Sequence, residues 1–183
     1  MSQKKTALVV CPGRGSYNRP ELGYISQQLA ANPGIQPLIN GFDQVRRELG
    51  LATVSELDGA SQFSSRQRLQ ADNAAALIYS AGQADFARIN RNKFEIVAVT
   101  GNSMGWYTAL GCAGVWQDSS SMQLVTSMAQ LTAGAAGNQF IYPIVNSDWQ
   151  LDIDKQARVA EQLYLHQVYL LFQAPLVYEV LKK

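Results

Sequence analysis

Apolar positions along the chain fall into short continuous runs and longer stretches of helical period. Ala7 to Cys11 is an unbroken apolar run stopped by Pro12-Gly13-Arg14-Gly15-Ser16. A run apolar at every position suits a parallel strand covered on both faces, and the Pro/Gly cluster suits a tight loop at its carboxyl end. Open α/β sheets place ligands at such loops. Helical spacing follows over Glu21 to Ala31 and Phe42 to Leu49, divided by Asn32-Pro33-Gly34, and the stretch up to Gln67 is polar and serine-rich. From Leu69 to Ile89 the alanines, Leu77, Ile78 and Phe86 predict a long helix. Asn90 to Lys93 turn it into a second strand, Phe94 to Thr100. Alternation of strand, helix and strand predicts an α/β fold with a parallel sheet.

Beyond the second strand the spacing predicts a helix from Ser103 to about Ala113 and another over Ser119 to Ala133, closed by Gly134 and Gly137. Gln139 to Val145 reads as a strand, Asp148 as a helix cap, and Asp154 to Gln167 as a helix. The pattern therefore divides the chain into an α/β core over residues 1–137, a smaller unit beginning over 138–167, and an apolar, Pro-containing tail over 168–183. Neither partner nor role is assigned to that tail.

Charge changes this picture little. Charged residues are 16% of the chain, against an ordinary value of about 25%, and 15 basic residues nearly balance 14 acidic ones. Without a basic stripe, nucleic acid and membrane surfaces are not expected partners. No apolar run approaches the ~18 residues of a membrane span. Cys11 and Cys112 lie in apolar segments, which suits buried reduced thiols and a cytoplasmic location.

Chemistry concentrates at Gly101-Asn102-Ser103-Met104-Gly105, a G-x-S-x-G motif between a predicted strand and a predicted helix. That context is what a nucleophile elbow requires: small flanking residues expose the hydroxyl, and the helix amino terminus offers N–H groups to an oxyanion. Residues Val99 to Val115, VTGNSMGWYTALGCAGV, resemble the nucleophile segment of malonyl-CoA:acyl-carrier-protein transacylases, G-H-S-L-G-E-Y-S-A-L-x-x-A-G. The CPGRGS of Cys11 to Ser16 is similar to the F-P-G-Q-G-S of the same family. The resemblance covers residues 6 to about 147. It implies the first part of a large α/β subdomain followed by the start of a ferredoxin-like one. It also implies a ping-pong reaction in which Ser103 takes an acyl group from coenzyme A and passes it to the thiol of an acyl carrier protein, with acyl-coenzyme A as substrate and no cofactor or metal.

Residue by residue, the resemblance implies an oxyanion hole from the backbone N–H groups of Met104 and Arg14. Three substrate-pocket positions depart from the family. Asn102 stands where the family has histidine, and Trp106 where it has glutamate. Met128, twenty-five positions after the serine, stands where the family pairs an arginine with the malonyl carboxylate. A thioether cannot hold a carboxylate, so neutral acyl groups are expected instead, unless Arg14 supplies the charge from another side. The family's general-base histidine has no counterpart, since the one histidine, His166, sits in an unrelated segment. Three readings stay open: a divergent acyltransferase, completed by another chain or shortened from a longer parent; a non-catalytic binding module of a fatty-acid or polyketide-type pathway; and a serine esterase, against which the CPGRGS loop argues.

Overall fold

The computed structural model describes residues 3–62, 64, 70–116, 119–133, 138–166, 169–173 and 177–182. It divides into two compact units, Met1–Ala133 and Gly134–Lys183.

In the first unit, β1 (Lys5–Cys11) and β2 (Phe94–Gly101) pair in parallel, from Lys5 opposite Phe94 to Cys11 opposite Gly101. Val97 is the extra residue of a bulge where the register shifts between Ala7 and Leu8. One side of the sheet packs Val9, Cys11 and Val99 against Phe86, Ala109 and Cys112. The other side departs from the sequence expectation: Leu8, Val10 and Val97 are 58%, 64% and 61% exposed. Their apolar character reflects a strand suited to cover on both faces, yet this face stays in solvent.

The larger core is helical. It joins α1 (Tyr24–Ala31), α2 (Gln36–Glu48), α3 (Val54–Asp58), α4 (Ala71–Ala87) and α6 (Ser120–Ala133) around Ile25, Ile39, Phe42, Leu57, Leu77 and Met122. Gly23, at φ 83°, breaks the expected Glu21 to Ala31 helix into a single 3-10 turn and α1. Pro37 in the first turn lets α2 begin well before Phe42. Within the polar stretch, α3 is held by a capping box: Glu56 N donates to Thr53 Oγ1 at 3.1 Å and Thr53 N to Glu56 Oε2 at 2.8 Å. Helix α5 (Gly105–Cys112) lies close on α4 because Gly82 and Gly111 present no side chain; a Cβ on Gly82 would meet Thr108 Cγ2 at 2.5 Å.

Two buried polar groups brace the helices. The guanidinium of Arg46, fully buried, donates to the Ala52 and Asp72 carbonyls and to Asn73 Oδ1, joining α2 to the start of α4. Its burial lowers its pKa. Asp58, also fully buried, accepts from Tyr17 Oη, Ile25 N, Ser26 N and Ser26 Oγ, so one carboxylate ties the loop after β1 to the first turn of α1. Buried carboxylates need such donors.

The second unit comprises β3 (Asn138–Pro143), α7 (Ile153–Leu165), β4 (Tyr169–Gln173) and β5 (Val177–Lys182). The antiparallel sheet has the order β3-β5-β4. With β5 between them, β3 and β4 run parallel and α7 joins them, which is the split βαβ arrangement of ferredoxin-like folds. The cap of α7 is Asp152, accepting from Lys155 N at 2.8 Å, rather than Asp148. The expected tail supplies, in its described part, both β4 and β5, whose pairing partners lie in this same sheet.

Replacing Asp58 by alanine strands several buried donors at once and is expected to lower unfolding stability by about 3 kcal/mol or more in denaturant titration. A loss under about 1 kcal/mol would show that the carboxylate braces nothing. Burial pushes the Cys112 thiol up to about 12 and raises that of Cys11. Because the unfolded thiols ionise near 9 and the folded ones resist, their contribution to stability is complete below pH 9 and is lost as pH rises from there toward 12. Serine at both positions should flatten that alkaline decline in thermal melts.

Candidate active site

Between the end of β2 at Gly101 and the start of α5 at Gly105 the chain must reverse within three residues. Ser103 sits at the tip with φ 52°, a left-handed conformation shared, among the described non-glycine residues, only by Trp149. The turn is closed by Gly105 N to Asn102 O at 2.7 Å and Trp106 N to Ser103 O at 3.1 Å, and Asn102 N donates to Cys11 O at 3.2 Å. This positive φ explains why the helix starts at Gly105 and not, as expected, at Ser103.

Glycines set how closely the backbones approach. A Cβ on Gly101 would lie 2.2 Å from the Gly105 carbonyl carbon and oxygen, and one on Gly105 would lie 2.2 Å from Cys11 O. A Cβ on Gly13 would lie 2.7 Å from Asn102 O and 3.4 Å from Ser103 Cβ, so the first loop abuts the serine. Tyr17, bonded to Asp58, anchors the far end of that loop.

Ser103 opens onto a cleft of about 350 Å³. Arg14, Met104, Trp106 and Met128, four of the residues singled out in the sequence, line it together with the serine. Asn102 does not: its side chain is exposed outside the cleft, and its backbone makes the turn. Tyr107 and Leu110 of α5, Ala75 of α4 and Val125, Ala129 and Thr132 of α6 complete the lining. Helical spacing from Ser103 and Met128 could have found most of these: Tyr107 lies four and Leu110 seven residues beyond the serine, and Val125 and Thr132 lie one turn to either side of Met128.

Arg14 is the one charged residue of the lining. The backbone N–H groups of Arg14 and Met104 donate to no backbone carbonyl among the described residues. No described side chain accepts from Ser103 Oγ. His166 is the exposed C-cap of α7 in the second unit. No described cluster of three or more His, Cys, Asp or Glu could hold a metal ion.

No protein-family profile and no curated protein sequence matches the chain. Its fold, by contrast, matches about half of the fold of solved α/β acyltransferases, malonyl-CoA:acyl-carrier-protein transacylases and polyketide-synthase acyltransferase domains among them. The acyl-carrier-protein S-malonyltransferase of Burkholderia pseudomallei 1710b matches with a TM-score of 0.70 at 22% identity, over 97% of this chain and 54% of that one. The transacylase of Streptococcus pneumoniae matches with a TM-score of 0.71 at 18% identity, over 98% and 55%. PlMCAT, a malonyl-transacylase solved in complex with its type II polyketide-synthase acyl-carrier protein AntF, matches with a TM-score of 0.68 at 21% identity, over 97% and 55%. The chain thus spans about half the length of the solved structures it matches.

Alanine at Gly105 would drive a carbon into a backbone oxygen that no rotamer change can relieve. It is expected to cost about 3 kcal/mol or more, lowering the melting temperature by roughly 6–12 °C. Gly50→Ala, at φ 70° but in open space, should cost only about 1 kcal/mol. Equal melting shifts for the two variants would refute the close crossing.

Proposed function

We propose that the chain carries the acyl-accepting site of an acyltransferase, with Ser103 as nucleophile. The observation that carries this reading is a serine held at positive φ between a parallel strand and a helix, against a glycine loop, at the mouth of an apolar cleft. In the reaction, Ser103 Oγ bonds to the acyl carbon of a coenzyme A thioester as the C–S bond breaks, and the hydroxyl proton leaves with the departing thiolate. A carrier-protein thiol then takes the acyl group and returns the proton. The N–H groups of Met104 and Arg14 are the donors for the oxyanion. The nature of PlMCAT's partner supports an acyl carrier protein as the second substrate. A cytoplasmic setting fits the two buried free thiols, and no described helix is long and apolar enough to cross a membrane.

The lining favours a neutral acyl group. Apart from Arg14, the lining around Met128 offers no partner for a buried carboxylate, which would cost about 3 to 5 kcal/mol unpaired. A second reading, a binding module that holds acyl groups or carriers without turnover, is favoured by one observation: nothing described accepts the Ser103 proton. The two readings separate by rate, because loss of a base typically costs about 100-fold to 10,000-fold.

Incubation with acetyl-CoA or malonyl-CoA, followed by intact mass and peptide mapping, is expected to show slow acetylation of Ser103, absent in Ser103→Ala, and little malonylation. Met128→Arg should shift the preference toward malonyl. Predominant malonylation that disappears in Arg14→Ala would overturn the neutral preference, and no adduct from any thioester would favour the binding module.

A further inference from the structure

Cys11 and Cys112 are the two cysteines of the chain, and the fold buries them together. Both belong to one small apolar cluster with Ala109, where α5 covers the sheet. Their thiols lie within hydrogen-bonding reach of one another, Cys112 donating to Cys11. From α4, Gln83 Nε2 approaches the Cys112 sulfur at 3.6 Å. Cys11 also lines a groove of about 320 Å³ beside β1, which gives a water-sized molecule a path to it. The backbones of the two residues bracket the serine turn. Cys11 O accepts from Asn102 N at 3.2 Å and sets how closely Gly105 can approach. Cys112 is the last residue of α5, the helix that Gly105 begins. Both ends of the helix leaving the serine turn therefore meet the end of β1.

We propose that Cys11 and Cys112 form a reversible disulfide, made by a peroxide and undone by a dithiol reductant, that latches α5 to β1 and so holds the serine turn. The chemistry runs in two steps. The Cys11 thiolate attacks a peroxide oxygen as the O–O bond breaks; Cys11 becomes a sulfenic acid, and the departing hydroxide takes up the thiol proton as water. The Cys112 sulfur then bonds to the Cys11 sulfur as the S–O bond breaks, and a second water leaves with the Cys112 proton. Two thiols lose two electrons in all, and the peroxide is reduced to two waters. The product is uncharged, which suits an apolar cluster that disfavours thiolates. With the second thiol beside the first, the sulfenic acid is consumed before another oxidant arrives. Hydrogen bonding from Cys112 favours Cys11 as the sulfur that ionises and reacts first. None of this depends on acyl transfer by Ser103, and the test uses no thioester.

The whole chain, reduced and then treated with hydrogen peroxide, is expected to lose two hydrogens by intact mass, with Cys11 and Cys112 joined in a non-reduced peptide map. Dithiothreitol should restore the starting mass. Burial raises both thiols, so the thiolate is scarce at neutral pH and the bridge should form at least about tenfold faster at pH 9 than at pH 7. Tyr79 and Arg91 near Cys112, and Glu21, Asp85, Tyr17 and Tyr24 in the groove, change charge little over that interval, so the increase reports the thiols. Because the bridge closes a loop of about 100 residues, the oxidised chain should melt about 5–15 °C higher. Amide exchange over Gly105 to Ala109 should be at least about tenfold slower once the bridge is closed. Cys112→Ala should leave Cys11 as a sulfenic acid that dimedone captures, with melting and exchange unmoved by peroxide. Addition of two or three oxygens without a bridge, bridges between chains, or a bridge that forms only in denaturant overturns the proposal. So does a bridge that leaves exchange over α5 unchanged. Should Cys112→Ala not fold, mass and exchange of the oxidised and re-reduced native chain decide by the same criteria.

Discussion

At the crossing of the two strand ends, the backbone of the turn after β2 rests directly on the backbone at the end of β1. Cys11 O lies where a Cβ of residue 105 would stand, and Gly101 touches the Gly105 carbonyl in the same way. Parallel pairing brings Cys11 opposite Gly101, so both chains leave the sheet at one level and must share the space above it. Only glycine permits the two exits to lie this close. The tight turn in turn forces Ser103 into the left-handed region, a strain of about 1 to 3 kcal/mol that survives because its surroundings leave no alternative. Moving either glycine would relax the turn and withdraw the serine from the first loop.

That loop is held from its other end by a quite different interaction. Asp58 gathers four donors in the core, among them Tyr17 Oη immediately after the loop and the N–H groups of the first turn of α1. Since a carboxylate near a helix amino terminus also meets the positive end of the helix dipole, the anchor and the helix stabilise one another. Glycine contacts fix the loop at Gly13 and the carboxylate fixes it at Tyr17, leaving Arg14 to Ser16 to span a short distance with little freedom. The positions of the Arg14 and Met104 amides relative to Ser103 follow from these two attachments.

Much of this was legible in the sequence, for identifiable reasons. Both strands of the first unit and the long fourth helix announce themselves because an unbroken apolar run and a 3.6-residue period are strong local signals. The serine turn was legible because glycine at 101 and 105 is a local demand. Where sequence reasoning slipped, nonlocal or conformational effects were decisive. Gly23 at positive φ interrupted a helix that spacing alone would carry through, and the capping box at Thr53 and Glu56 built a helix in a stretch that composition marks as polar loop. The residues from 168 onward lack a visible period-2 pattern and acquire meaning only through β5, which pairs with strands from both sides of α7. Asn102 was drawn into the pocket by its place beside the serine, yet the residue before a left-handed turn points its side chain elsewhere and contributes its carbonyl. Two of the other cleft residues of α6 were within reach, since Val125 and Thr132 follow from Met128 by helical spacing.

The division of labour inside the site follows from which contacts are local to the first unit. Placement of the serine, the Arg14 and Met104 amides and the cleft lining are all set by β1, β2, α4, α5, α6 and the loop between Cys11 and Tyr17, so the geometry of the proposed acyl-accepting site is built within the first unit. Proton transfer is different, because a base must reach Ser103 Oγ from outside its own turn, and no described side chain does so. Preorganised placement and oxyanion donors retain much of an enzyme's advantage when the base is lost, whereas the base itself governs how fast each half-reaction runs. On the proposed reading, a site of this construction would separate occupancy from turnover: its lining and strained serine would decide which acyl group can bond there, and the source of the base would decide how quickly that group arrives and leaves.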